Sequence, residues 1–280
     1  MNNIVGWRYR EGIMIADNHP HEEANMAPLK DGSIWKYSEN GKKPLMARWT
    51  SDFDCGHETP WYYVIKDTPF DLMAMKSSNR YSVTRGNRNF EVKVVDPKDY
   101  FEQLYKVTIA AFSAYPEEYR PSLSYENFCI GITSEENTTM FAAFHKETGE
   151  IQGYLTVVEF DDYERGSTMK ANPEYERLYI NDALIAAMLD YYNPRLGQGK
   201  YIDFGETSIS HKTGIYGKLV HQYGFKYAYC KLNVAYNPML SIAVKVLYPF
   251  RNVLQKMESN RLVHKINSVL IMENIARECK

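Results

Sequence analysis

From Lys200 to Tyr236 the chain reads KYIDFGETSISHKTGIYGKLVHQYGFKYAYCKLNVAY, an order of patterns that few folds accommodate. Tyr201-Ile202-Asp203-Phe204 is a short apolar strand that ends at Gly205. A polar turn follows, carrying Glu206, Ser208, Ser210, His211 and Lys212. Ile215, Leu219, Val220 and Tyr223 then recur at helical spacing, and Gly224 suits the residue just past a helix end. Beyond it the pattern alternates, with Ala228, Cys230, Leu232 and Val234 on one face and Tyr227, Tyr229, Lys231 and Asn233 on the other. Strand, polar turn, helix, strand puts ionisable side chains at the carboxyl end of a strand. Open α/β sheets bind ligands there, so the turn is a candidate site.

The preceding residues supply the elements such a sheet needs. Residues 97–114 follow helical period through Tyr100, Leu104, Val107, Ala111 and Phe112, with Asp96 as N-cap and Pro97 in the first position. A shorter helix is expected over Tyr125–Thr133. Met140–His145 and Ile151–Phe160 flank Lys146-Glu147-Thr148-Gly149-Glu150, a hairpin signal. Tyr179–Tyr192 carries a helical stripe of Ile180, Leu184, Ala187, Met188 and Tyr191. Residues 1–95 are rich in turns (DNHPHEE, KDGS, SENGKKP, DFDCGHETP) between short apolar pieces such as Gly12–Ala16 and Trp61–Ile65. The expectation is an α+β fold in three regions: an irregular β-rich part over 1–95, a layered mixed sheet with helices over 96–237, and a helical extension over 238–280.

An Asp-Phe-Gly-ended strand, a helix, a Tyr-Gly-Phe turn and a final strand resemble the last third of an acyltransferase of the general N-acetyltransferase (GNAT) superfamily. Within it the chain is most similar to the Fem peptidoglycan-bridge transferases. SISH…YGFKYAYCKLNVAYNP and LYPFR resemble GNAT-like proteins associated with capsule and lipopolysaccharide biosynthesis. The likeness covers about residues 70–250, on the usual size of one α/β domain. It implies transfer of an acyl or aminoacyl group to an amine, with an amino sugar or sugar nucleotide as acceptor. One departure leaves the donor open. Acetyl-CoA-dependent members hold the pyrophosphate on the backbone amides of a glycine-containing loop, whereas Met169–Leu178 here contains no glycine. Fem-type relatives also lack that loop and use aminoacyl-tRNA. Acyl-CoA and aminoacyl-tRNA both remain candidate donors.

The chemistry asks for a base and an oxyanion donor. An amine attacks an ester or thioester only as the free base, so a group must take its proton near neutral pH. The tetrahedral oxyanion needs a hydrogen-bond donor, commonly a backbone N–H between splayed strands. Glu206 and His211 are the candidate bases. A first-turn histidine feels the positive end of the helix dipole, which disfavours its protonated form; the alternative is that Ser210 and His211 only cap the helix. Glu206 could instead pair with Lys212 or Lys218. Tyr216 is the candidate acid for the leaving group, or a packing residue. Asp203, Ser208, Lys212 and Tyr229 are candidate substrate contacts.

Arg80, Arg85 and Arg88 fall within nine positions, a spacing suited to gripping phosphate through bidentate contacts. They are candidate donor-binding residues, with a solvated basic face as the alternative. His19, His21, Glu22 and Glu23, with Cys55 and His57, do not match a zinc-site spacing, and no metal is expected. Balanced charge, with 33 basic and 35 acidic side chains, argues against a bulk nucleic-acid binder. The four cysteines are scattered, as reduced thiols of a cytoplasmic protein are. The start, MNNIVGWRYREG, has no apolar stretch of a secretory signal. Pro238–Met257 is apolar with Lys245, Arg251 and Lys256 spaced through it, and Pro249 divides it. It reads either as packed helices, including a dimer contact, or as a basic amphipathic segment on the inner membrane surface. Rival readings of the whole chain are a GNAT-like binding module without catalysis in glycan assembly, or a membrane-surface adaptor.

Overall fold

The computed structural model describes residues 4–117, 120–209, 214–257 and 261–279, with the side chains of Met257, Arg261 and Leu262 left aside. In chain order the strands are β1 (Trp7–Arg10), β2 (Ile13–Ala16), β3 (Met46–Ser51), β4 (Trp61–Lys66), β5 (Phe90–Val95), β6 (Thr138–His145), β7 (Ile151–Glu159), β8 (Tyr163–Ala171), β9 (Tyr201–Glu206) and β10 (Lys226–Tyr236). The helices are α1 (Ala27–Lys30), α2 (Ser77–Asn89), α3 (Phe101–Phe112), α4 (Tyr125–Ile132), α5 (Ile180–Tyr192), α6 (Gly214–Tyr223), α7 (Pro238–Leu247), α8 (Arg251–Leu254) and α9 (Arg261–Glu278). This is the mixed α+β architecture expected, with short strands at the N-terminus and helices at the C-terminus.

The chain forms two compact units assembled from interleaved segments. One comprises residues 1–63, 206–213 and 227–280; the other comprises 64–205 and 214–226.

In the first unit β1 and β2 form an antiparallel hairpin, β2 runs parallel to β3, and β3 pairs antiparallel with β10 from Met46↔Tyr236 to Ser51↔Lys231. Successive side chains on a strand point to opposite faces, and β3 uses both. Met46 joins Trp61, Cys230, Leu232, Met272 and Cys279 on one side, and Ala47 joins Trp7, Met14 and Ile34 on the other. The Ala228, Cys230, Leu232 face read from the sequence is the buried one.

In the second unit the strand order is β9-β8-β7-β6-β5. The β8–β9 pairing is parallel and the β5–β6–β7–β8 pairings are antiparallel. Helices cover both faces. Leu104 and Val107 of α3 and Phe128 of α4 pack on Met140, Ala142 and Tyr154, while Phe141 meets Tyr191 and Tyr192 of α5. Asp96 accepts from Lys98 N–H and so caps a short turn ahead of α3 rather than α3 itself, Ser124 accepts from Asn127 N–H at the start of α4, and Gly224, at φ 70°, follows the end of α6 as expected. A 3₁₀ turn over Pro97–Asp99 precedes α3, because an aspartate cap and a proline leave the first turn tight.

Candidate functional site

Strand β9 runs one residue past the glycine at which the sequence reading ended it, so Glu206 is its last residue and Gly205 lies within it. Gly205 has φ 97°, and a Cβ there would lie 3.3 Å from the Tyr216 hydroxyl. That hydroxyl donates to Phe204 O at 3.2 Å, so Tyr216 braces the strand end from α6. Asp203 is buried, and its Oδ1 accepts from Gly205 N–H at 2.7 Å. Asp203 and Tyr216 thus fix the backbone at the turn. Upstream, the β8–β9 ladder holds Tyr163↔Tyr201, Glu164↔Ile202 and Arg165↔Asp203. Past that last pair, the Phe204 ring fills the space beside Gly166, where a Cβ would meet ring atoms at 3.1 Å.

After Gly205, residues Glu206 to Ile209 belong to the first unit and line a cleft of about 500 Å³. Its other walls come from Arg10 and Glu11 of the β1–β2 hairpin, Arg48 of β3, and Ser268 and Met272 of α9. Arg48 Nη2 donates to Glu206 Oε1 at 2.6 Å. The Arg48 guanidinium also sits 5.8 Å from the Trp61 ring centroid, a cation–π placement that restricts it. Thr207 N–H donates to Tyr62 O at 2.8 Å, which anchors the turn to β4. About a third of the Glu206 side chain, 31%, is open. Burial raises its pKa, and Arg48 and Arg8 pull it back down. Charge partner and burial therefore act against each other on a carboxylate at the mouth of a cleft, the setting in which such groups serve as bases. Ser208 is exposed on the same rim. Tyr229 stands in a cluster with Tyr62 and Tyr227, its ring centroid 6.0 Å and 6.1 Å from theirs. His211 and Lys212, with Ser210, lie outside the described residues.

The arginines expected to hold a donor are on helix α2. Arg80 Nη1 donates to Met73 O at 2.8 Å, Arg85 stacks 5.9 Å from the Tyr81 centroid, and Arg88 is exposed. At about 100° per residue, Arg80, Arg88 and Arg85 spread over an arc of roughly 140° around the helix. The glycine-free stretch folds as a 3₁₀ turn over Pro173–Leu178. Its amides are used internally: Glu174 N–H binds Asn172 Oδ1, Tyr175 N–H binds Asn172 O, and Tyr179 N–H binds Glu176 O.

A second cleft, of about 250 Å³, escaped the sequence reading. It lies in the second unit between α3, α4 and the β7–β8 pair. Between Thr156↔Thr168 and Val157↔Gly166 the register shifts and Ser167 is the extra residue of a bulge. Thr156 Oγ1 accepts from Thr168 N–H at 3.0 Å, Tyr154 OH and Thr108 Oγ1 are 2.8 Å apart, and Glu135 is held by Arg165 at 3.1 Å and by Ser167 at 3.2 Å. Lys170 faces the Phe112 and Tyr115 rings. The available signal was YERGSTMKA, a polar strand with a glycine beside a serine, which marks a bulge.

Of the groups considered for a metal, His19 Nδ1 is 4.0 Å from Glu22 Oε1, and Cys55 Sγ is 3.9 Å from His57 Nε2.

No family model matches the chain, and no curated protein matches it. Among solved structures it is similar to the C-terminal domain of a protein assigned as a lysylphosphatidylglycerol synthetase from Agrobacterium fabrum. The identity is 12%, the coverage 86% of this chain and 84% of that one, and the TM-score 0.51. It is also similar to L-PGS from Bacillus licheniformis, at 12% identity, 98% and 86% coverage and a TM-score of 0.48. A third similarity is to an N-acetyltransferase-like protein from Streptococcus suis, at 14% identity, 82% of each chain and a TM-score of 0.40. The first likeness is one of fold: a mixed sheet flanked by helices.

Proposed function

We propose that the chain is a GNAT-like transferase that moves an acyl or aminoacyl group from an activated donor to an amine, with Glu206 as the base. The observation that carries this reading is the strand-end cleft, where a carboxylate with a burial-raised pKa is oriented by Arg48 and remains partly open. The amine nitrogen attacks the donor's carbonyl carbon and a C–N bond forms. The C–S bond of a thioester, or the C–O bond of an ester, then breaks. The amine's proton passes to Glu206, and the departing thiolate or alkoxide takes up a proton from solvent. An amino sugar or sugar nucleotide is the acceptor class that the resemblance to glycan-assembly proteins implies. Acyl-CoA and aminoacyl-tRNA both stay candidate donors, as the resemblance implies.

The test is a transfer assay crossing acyl-CoA and aminoacyl-tRNA donors with a panel of amines and amino sugars, using the wild-type chain and Glu206→Gln. Loss of a general base slows a reaction by about 10²–10⁴-fold, and Gln keeps the size and a hydrogen bond to Arg48. Transfer by wild type that falls by that factor in the variant is the expected result. Full activity in Glu206→Gln would return the pair to a structural role, and no transfer with any pair would favour a non-catalytic module.

A further inference from the structure

The helical run after β10 leaves a large apolar stripe uncovered. Helices α7 and α8, joined by the 3₁₀ turn Tyr248–Phe250, form a nearly continuous rod. One side packs inward, with Val244 buried and Leu240 against the cluster of Met46, Trp61, Leu232 and Met272. The other side exposes Met239 at 80%, Ile242 at 65%, Val246 at 60%, Phe250 at 58% and Val253 at 60%. At about 100° per residue these five fall within an arc of roughly 80°, along a rod about 20 Å long. Isolated exposed apolar residues are ordinary, but a contiguous stripe marks something that covers it.

Its flanks identify the partner. Lys245 and Lys256 lie on one side of the stripe and Arg251 on the other, and Pro238–Met257 contains no Asp or Glu. Both lysines are exposed, while Arg251 is half-buried with its guanidinium 4.4 Å from the Tyr248 ring. Protein interfaces are depleted in lysine. A second copy docked on the same face would set these cations against each other, because a twofold interface pairs a patch with itself. An apolar stripe between rows of cations instead matches the boundary of a bilayer rich in anionic lipid. We infer that the α7–α8 face docks on an anionic membrane surface, with Met239, Ile242, Val246, Phe250 and Val253 entering the headgroup boundary and Lys245, Arg251 and Lys256 meeting lipid phosphates. This is peripheral attachment; among the described residues no helix is long and apolar enough to cross a membrane. The inference stands apart from the transfer reading.

Co-sedimentation of the full chain with vesicles of phosphatidylcholine, with and without phosphatidylglycerol, tests it. Wild type is expected to bind the phosphatidylglycerol vesicles and to be released by salt. Ile242→Asp/Val246→Asp should abolish binding, and Lys245→Ser/Lys256→Ser should weaken it roughly tenfold to thirtyfold. All four positions are exposed, and a thermal melt checks that each variant folds. Failure of wild type to bind overturns the inference, as does binding that survives both variants. So does a dimer in solution that Ile242→Asp/Val246→Asp splits without any vesicle binding, since a second copy would then cover the stripe.

Discussion

Glu164 of β8 has no exposed surface, and its charge is answered from one side only. Arg195 Nε is 2.6 Å from Oε1, an ion pair without hydrogen-bond geometry, while Oε2 has no hydrogen-bond partner among the described residues. Arg195 is shared, with Nη1 3.7 Å from Glu159 Oε2. Burial therefore wins, pushing the Glu164 carboxyl from its ordinary 4.5 up to about 7 against Arg195 and Lys200. Because the folded pKa is raised, the unfolded chain ionises first as pH climbs. Stability from this group is fully present below pH 4.5 and is lost as pH rises to about 7. The loss is on the order of 3 kcal/mol. Urea unfolding of wild type and Glu164→Gln should show the variant gaining by about that amount relative to wild type between pH 5 and pH 8. A constant difference across that range would mean that Glu164 is ionised throughout. Nothing in the sequence marks this glutamate, since one acidic residue in YERGSTMKA reads as a solvated strand position. Glu206 stands out in the sequence because it follows a glycine at a strand's carboxyl end, but its partner Arg48 is 158 positions away and only the fold brings them together.

Elements with a strong apolar period were readable, and those defined by packing were not. Helices α3, α4, α5 and α6, the β6–β7 hairpin and strands β9 and β10 follow their patterns to within a few residues. Helix α2 did not announce itself: SSNRYSVTRGNRN is polar, with Val83 and Gly86 its buried residues. What makes it a helix is its contact with α5. A Cβ on Gly86 would lie 2.6 Å from Tyr179 O and 3.1 Å from Ala183 Cβ, so the helices meet where both lack bulk. Tyr179 itself is held at φ 64°, a conformation that the close approach of α2 fixes. Gly86→Ala should lower stability by about 2–3 kcal/mol through this overlap, although alanine is the better helix former. Chemical denaturation measures it. A variant as stable as wild type would show that α2 and α5 can separate at no cost.

At the scale of the whole molecule, the interleaving was the least legible property. A unit built from residues 1–63, 206–213 and 227–280 carries no linear boundary signal, because the chain passes between units at single residue steps such as Gly205 to Glu206. Hydrophobic period reports which face of an element is buried, not which distant segment buries it. The mixed α+β class survives this blindness, since it depends on element types and order. The central claim is that Glu206, set between burial and Arg48, is the base of an acyl transfer. It is tested most directly by the pH dependence of kcat/KM for wild type and Arg48→Met, once a donor and amine pair is in hand. Removing Arg48 removes the group that lowers the Glu206 pKa. The account predicts that activity rises with pH through an apparent pKa above the usual carboxylate range in wild type, and that Arg48→Met moves this limb to higher pH. Superimposable profiles in the two proteins would contradict it.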